Sequence, residues 1–280
     1  ITSSGDYQVT ANLSSGGNCI NINASNVDLD VLNQVIIYGA EGTGIGINVS
    51  GRGTRLSNVT IRNAFINKSI ENVGNANNWG IYVTNASNIS IINNTIITNG
   101  SATNYGIYFV DVLNSTINNN QINTTNVSGT SDYGIRIDGG LFINITKNTI
   151  WTNGTAGRGI EFFGTNYSSI SANTIFTTGV NGHGVFFEPV LMNNTIIGNI
   201  INTSGTGMGL YLDTRANNNT IMGNNINTSG NAGYGMRVFG SFNNITQNTI
   251  RTNGTSGYGI VVQDGSNYSS VTGNTITTLG

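Results

Sequence analysis

Along most of the chain, short alternating runs of apolar and polar residues return about every 25 residues. One run opens at a glycine: WGIYV (79–83), YGIYFV (105–110), YGIRID (133–138), RGIEFF (158–163), HGVFFE (183–188), MGLYLD (208–213), YGMRVF (234–239) and YGIVVQ (258–263). A second type follows, as in NNTIITNG (93–100), KNTIWTNG (147–154), ANTIFTTG (172–179), GNIINTSG (198–205), GNNINTSG (223–230), QNTIRTNG (247–254) and GNTITTLG (273–280). Alternation with period two predicts strands. Self-similarity at about 25 residues is too short for a propeller blade and lacks the Leu-dominated pattern of leucine-rich repeats. Three short strands and their turns fill one such unit, which predicts an all-β parallel β-helix (solenoid) of about ten coils with three short parallel sheets. At strand spacing the rod would be about 48 Å long.

The aligned columns give the physics of the expected core. Asn recurs at Asn33, Asn63, Asn94, Asn120, Asn148, Asn173, Asn199, Asn224, Asn248 and Asn274. From Asn94 onward an aliphatic sits two residues later and another three residues earlier, for example Ile150 and Ile145 around Asn148. In a β-helix each residue lies over its counterpart one coil below, so inward aliphatics stack into a continuous core. Asn94, Asn120, Asn148, Asn173, Asn199, Asn224, Asn248 and Asn274 are read as a structural ladder whose amides satisfy one another. The recurring glycine is expected where a Cβ would clash or φ must be positive. Residues 1–280 read as one β-helix domain, with first coils in 1–55 and regular repeats in 56–280. FINKSIENVGNANN (65–78) lengthens one coil into a loop.

From residue 56 onward the pattern resembles the right-handed parallel β-helix repeats of the pectate-lyase-like superfamily. The N-X-I steps look most like the NosD-type repeats of prokaryotic exported proteins. GDYQVTANLSSGGNCININASNVDLD (5–30) is similar to the first coil of such surface proteins. The resemblance implies a right-handed helix and an extracellular setting, with archaeal cell surfaces among the candidates. It does not fix an activity, because this scaffold hosts lyases, hydrolases, adhesins and structural proteins.

Composition changes the picture mainly through charge. Only 8% of residues are charged, and the formal net charge is −2, against roughly 25% charged in ordinary soluble domains. Neither a basic footprint for nucleic acid nor a polybasic patch for anionic lipid is present. No apolar run reaches the roughly 20 residues of a membrane helix. Cys19, the one cysteine, cannot form an internal disulfide and is read as an inert thiol. No cofactor motif and no metal-ligand spacing is recognised.

The G-H-G at 182–184, around the chain's single histidine, is similar to one element of the polygalacturonase-type hydrolases. Their N-T-D, D-D and R-I-K elements do not occur here. His183 also falls in a variable column of large residues before the aligned glycine: Trp79, Tyr105, Tyr133, Arg158, His183, Met208, Tyr234, Tyr258. It is therefore read as an accident of the repeat. Asp138, Glu188 and Asp213 fall four residues after the glycine, and Asp111 and Asp264 five after it. Only Arg136, Arg158 and Arg215 lie near. These acids are read as solvated strand ends, with Glu188 and Asp213 the pair that could stand about one strand spacing apart. The outward row Ile97, Asn123, Trp151, Phe176, Asn202, Asn227, Arg251, Thr277 is neither flat nor uniform, which argues against an ice-binding face.

The polar surface carries 22 N-X-S/T sequons, each a potential N-glycan acceptor. They start at Asn12, Asn23, Asn48, Asn58, Asn67, Asn85, Asn88, Asn93, Asn99, Asn114 and Asn123. The rest start at Asn126, Asn144, Asn153, Asn166, Asn193, Asn202, Asn218, Asn227, Asn244, Asn253 and Asn267. Few charges favour self-association unless sugars cover the rod. The final repeat runs to Gly280 without a polar cap, and an open coil end exposes strand edges and core. These features lead to the expectation of a non-enzymatic, secreted, N-glycosylated structural protein. Its partners would be copies of itself, stacked head to tail into an extracellular filament or sheath, and covalent N-glycans. The other readings are a polysaccharide-binding or -cleaving β-helix enzyme that uses the acidic stripe and aromatic column, and an adhesin domain.

Overall fold

The computed structural model describes residues 1–51, 53–69, 78–100, 103–126, 131–263 and 265–279. Among these residues the chain is all-β, with no helix. It winds as a parallel β-solenoid of about ten turns. One coil carries the strands Arg158–Phe163, Ser169–Ser171 and Thr174–Thr177. The next carries Val185–Phe187, Thr195–Ile197 and Ile200–Thr203. They pair in parallel, with Ile160 on Val185, Ile170 on Ile196 and Ile175 on Ile201. First and second strands belong to one 19-stranded sheet, because the long strands Asn78–Ile92 and Asn104–Asn118 run through the corner between the two faces. Third strands form an 11-stranded sheet, and a 2-stranded pair joins Leu191–Met192 to Ala216–Asn217. Residues 70–77 of the lengthened coil lie outside the described residues.

One apolar cluster fills the tube from Ile20 to Ile250. Ile145, Ile170, Ile196, Ile221 and Ile245 stack over one another at 0% exposure. Each such side chain contributes about 1.5–3 kcal/mol relative to exposure. Because parallel strands repeat their register coil after coil, a branched aliphatic always meets another.

The corner between second and third strands is built on amides. The Asn148 side-chain oxygen accepts from both the backbone N–H (2.9 Å) and the Nδ2 (2.9 Å) of Asn120. Its own Nδ2 donates to Asn173 Oδ1 at 3.0 Å and to the Ile117 carbonyl at 2.9 Å. The same pattern runs from Asn94 to Asn274. The residue before each ladder Asn is left-handed: Asn93, Asn119, Lys147, Ala172, Gly198, Gly223, Gln247, Gly273. Asn33 and Asn63, expected in the same Asn column, do not hold ladder positions. They sit in this left-handed column, at φ 60° and 58°, and Ala64 holds the ladder position, its N–H donating to Asn94 Oδ1. A second buried ladder, unseen in the sequence, lines the preceding corner. There Ile143 N–H donates to Ser168 Oγ, Ser168 N–H to Asn194 Oδ1, and Asn194 N–H to Asn219 Oδ1.

The recurring glycines work by close approach and not by positive φ. A Cβ on Gly159 would stand 2.2 Å from Ile175 Cγ2 and 2.6 Å from the Gly184 carbonyl oxygen. The same clash recurs from Gly80 to Gly259. The glycine column lets the first strand close onto the isoleucine column of the 11-stranded sheet.

Two substitutions test this account by thermal unfolding. Asn173→Ala removes the acceptor of the buried Asn148 N–H and Nδ2. Buried groups left unpaired cost about 1–3 kcal/mol each, so a loss of about 2–5 kcal/mol is expected, against at most about 0.5 kcal/mol for Asn144→Ala on the exposed surface. Gly159→Ala, by overpacking, is expected to cost about 1–3 kcal/mol. Equal stability of wild type and both variants would remove the stacked-corner account.

Candidate functional site

The outer face of the first strands carries two adjoining columns. One is the position before the glycine. The other lies two residues after it: Tyr82, Tyr108, Arg136, Glu161, Phe186, Tyr211, Arg237, successive partners in register. The inward neighbours of this second column, such as Ile160 and Phe162, are fully buried, so period-two alternation turns the column outward. Packing within and between the columns is largely aromatic. Trp79 and Tyr82 centroids lie 4.6 Å apart, Tyr105 stacks on Tyr133 at 5.0 Å, and Phe186 stacks on Tyr211 at 4.7 Å.

Within this aromatic surface sits a cluster of opposite charges. Glu161 Oε1 lies 2.7 Å from Arg158 Nη1 and 3.2 Å from Arg136 Nη1, with its side chain 1% exposed. Arg158 Nη1 also reaches Glu188 Oε1 at 3.0 Å. The two glutamates are therefore bridged by one guanidinium nitrogen. Arg136 Nε donates to Asp138 Oδ1 at 2.8 Å, and Tyr108 OH donates to Asp138 Oδ2 at 2.7 Å. The Arg158 guanidinium lies 3.5 Å above the Phe186 ring centroid, which places the cation on the negative face of the ring. Glu161 Oε2 is buried with no hydrogen-bond partner.

Burial sets the protonation behaviour of the face. It raises the Glu161 carboxyl, an effect that Arg158 and Arg136 oppose and Glu188 reinforces. Burial likewise raises the Tyr105, Tyr108 and Tyr133 hydroxyls. The His183 imidazole is pushed down to about 4 by burial and then by the Arg158 charge. It is neutral at pH 7, and its Nδ1 accepts the Met208 N–H at 3.0 Å, so its proton sits on Nε2. His183 packs against Phe186 at 5.1 Å and Tyr211 at 5.7 Å.

Asp138 and Glu188 are not solvated strand ends: their side chains, 18% and 26% exposed, are held in ion pairs. Glu188 is drawn to Arg158 and Glu161, while Asp213 Oδ1 accepts from the Thr214 N–H. Asp111 lies apart, paired with Arg55 at 2.8 Å. Asp264 lies outside the described residues. Glu161 was missed altogether, although its sequence signal was available: it is the acidic member of a large-residue column two positions after the glycine. Among the described residues, no group of three or more His, Cys, Asp or Glu side chains could hold a metal ion. No sequon asparagine whose side chain is described is buried. The Asn126 side chain lies outside the description. Asn94, Asn120, Asn148, Asn173, Asn199, Asn224 and Asn248, by contrast, are 1% exposed.

A family model described as "Right handed beta helix region" matches residues 133–279. No curated protein sequence matches the chain. Among solved structures, DFA-IIIase from Arthrobacter chlorophenolicus A6 in complex with DFA-III is 13% identical. It superposes with a TM-score of 0.64 over 96% of this chain and 83% of that one. The A-module of the mannuronan C-5 epimerase AlgE4 from Azotobacter vinelandii is 16% identical, with a TM-score of 0.60 over 99% and 86%. At these identities the likeness shows the fold. It also corrects the expectation of a non-enzymatic, filament-forming structural protein, because these neighbours are carbohydrate-active enzymes.

The buried imidazole gives the site a pH signature. The folded His183 value of about 4 lies below its ordinary 6.5. Its contribution is thus complete above about pH 6.5 and is lost as pH falls toward 4. His183→Gln is expected to remove on the order of 1–3 kcal/mol of that acid-side loss, read as a smaller difference in melting temperature between pH 7 and pH 4. An unchanged difference would mean that the imidazole is not buried neutral.

Proposed function

The chain belongs to the right-handed β-helix family, and from that premise we propose that it binds a polysaccharide across its charged aromatic face and cleaves it by acid–base chemistry. The observation that carries this reading is the Glu161–Arg158–Glu188 bridge set among aromatic rings. Glu188 has the more accessible carboxylate of the two and is the group that meets the substrate. Glu161 is a positioning residue: it clamps Arg158 and Arg136 so that their guanidinium groups face a sugar carboxylate or hydroxyl in fixed geometry. Aromatic edges and the Tyr108 hydroxyl supply apolar and hydrogen-bonding contacts of the kind sugars use.

Cleavage of acidic glycans such as polygalacturonate and alginate tests the reading. Glu188→Gln is expected to lower turnover by about 10²–10⁴-fold with the fold intact. Glu161→Gln is expected to raise KM as well, because Arg158 and Arg136 each lose one of their two carboxylate partners. Absence of binding and cleavage across the glycan panel, or a Glu188→Gln protein as active as wild type, would sink it.

We further propose that the protein works outside the cell and carries N-glycans on a subset of its sequons. The support is positional: repeat register turns sequon asparagines outward and ladder asparagines inward. Peptide mass mapping of native protein should find glycans at exposed positions such as Asn144, Asn218 and Asn244 and none on the ladder. A bare native chain would end this part of the proposal.

A further inference from the structure

The third strands form an outer face of their own. Asn123, Trp151, Phe176, Asn202, Asn227 and Arg251 follow one another in register on successive coils. Two grooves of about 420 and 400 Å³ run beside this column and share Phe176 and Thr178, so they form one trough along the helix axis. Trp151 is 42% exposed. It is held flat against the Phe176 ring, with centroids 5.7 Å apart and planes within 8°. Farther along, Asn227 Nδ2 donates to Asn202 Oδ1 at 3.1 Å. No carboxylate lines either groove, and Arg251 brings the one charge among their lining residues.

Those features select among ligands. An indole left half in water on a rigid strand is an apolar platform without a cover. Amides and hydroxyls on both sides of it suit a hydroxyl-rich chain better than an apolar protein surface. One arginine cannot neutralise a run of phosphates. It can pair with an occasional carboxylate, and no acidic side chain in the trough repels one. An extended trough along the axis also matches a linear polymer and not a single small molecule.

We propose that this trough is a second, non-catalytic binding site that holds a linear acidic polysaccharide along the rod. Trp151 and Phe176 stack against sugar rings, Asn202 and Asn227 bond to hydroxyls, and Arg251 pairs with a uronate carboxylate. The ligand class rests on the polysaccharide reading of the charged face, and the trough would keep the polymer on the rod between encounters with that face.

The chain has two tryptophans, one on each surface, and this makes the two readings separable. In the Trp79→Phe protein, Trp151 is the sole indole, and titration with alginate should shift its fluorescence saturably. Adding Arg251→Ala should weaken that binding at least about tenfold, the effect of about 1.4 kcal/mol, while neutral dextran should bind more weakly than alginate. In the Trp151→Phe protein, Trp79 reports the charged face instead. A Trp151 signal that stays flat while Trp79 responds overturns the trough and leaves the charged face standing. Silence of both indoles overturns both. A saturable Trp151 response in a protein whose Glu188→Gln variant keeps full activity upholds the trough and removes the catalytic reading. A glycan found by mass mapping on Asn202 or Asn227 would occupy the same surface and also overturn the proposal.

Discussion

Everything in this molecule depends on one constraint: each residue must lie over its counterpart one coil away. Parallel pairing enforces it, and the Asn ladder locks it at the tightest corner. There each side-chain oxygen accepts two N–H groups from the neighbouring coil, as Asn148 Oδ1 does from Asn120. A one-residue slip would turn inward isoleucines to solvent and leave buried amides unpaired. The glycine column is the third part of the same device. Without it the first strands could not approach the isoleucines of the third strands, since a Cβ at Gly184 would meet Ile201 Cγ2 at 2.2 Å.

The same constraint makes the surface chemically legible. Because outward positions also stack, a functional surface is a column of residues from distant parts of the chain. Arg136, Glu161 and Phe186 are neighbours because each holds the second place after its coil's glycine. The rigid scaffold holds a nearly buried carboxyl between two guanidinium groups, which oppose the upward push of its burial. Aromatic stacking is obtained the same way: Phe186 over Tyr211 on the first strands and Trp151 over Phe176 on the third.

The structural neighbours alter how the missing hydrolase motifs should be weighed. Lack of the D-D and R-I-K elements excludes one arrangement of catalytic groups, not catalysis on this scaffold. The two neighbours differ in their named activity while sharing the solenoid over most of both chains. Activity on a β-helix therefore resides in whichever outward columns carry chemistry. In this chain the charged residues gather in two such columns, one with Arg136, Glu161 and Arg237 and the other with Asp138, Glu188 and Asp213.

The sequence alone determined the solenoid, the inward isoleucines, the amide corner from Asn94 to Asn274 and the two-sided placement of each strand. These follow from local periodicity and from residue types that recur at one interval, and both can be read without coordinates. What only the tertiary structure decided was the phase at irregular coils and the partners of the charged groups. Asn63 yields the ladder to Ala64 because a left-handed residue must precede that corner. Glu188 turns to Arg158, 30 residues away. Side-chain reach across neighbouring coils is a matter of a few ångströms, and a repeat length read along the chain does not specify it.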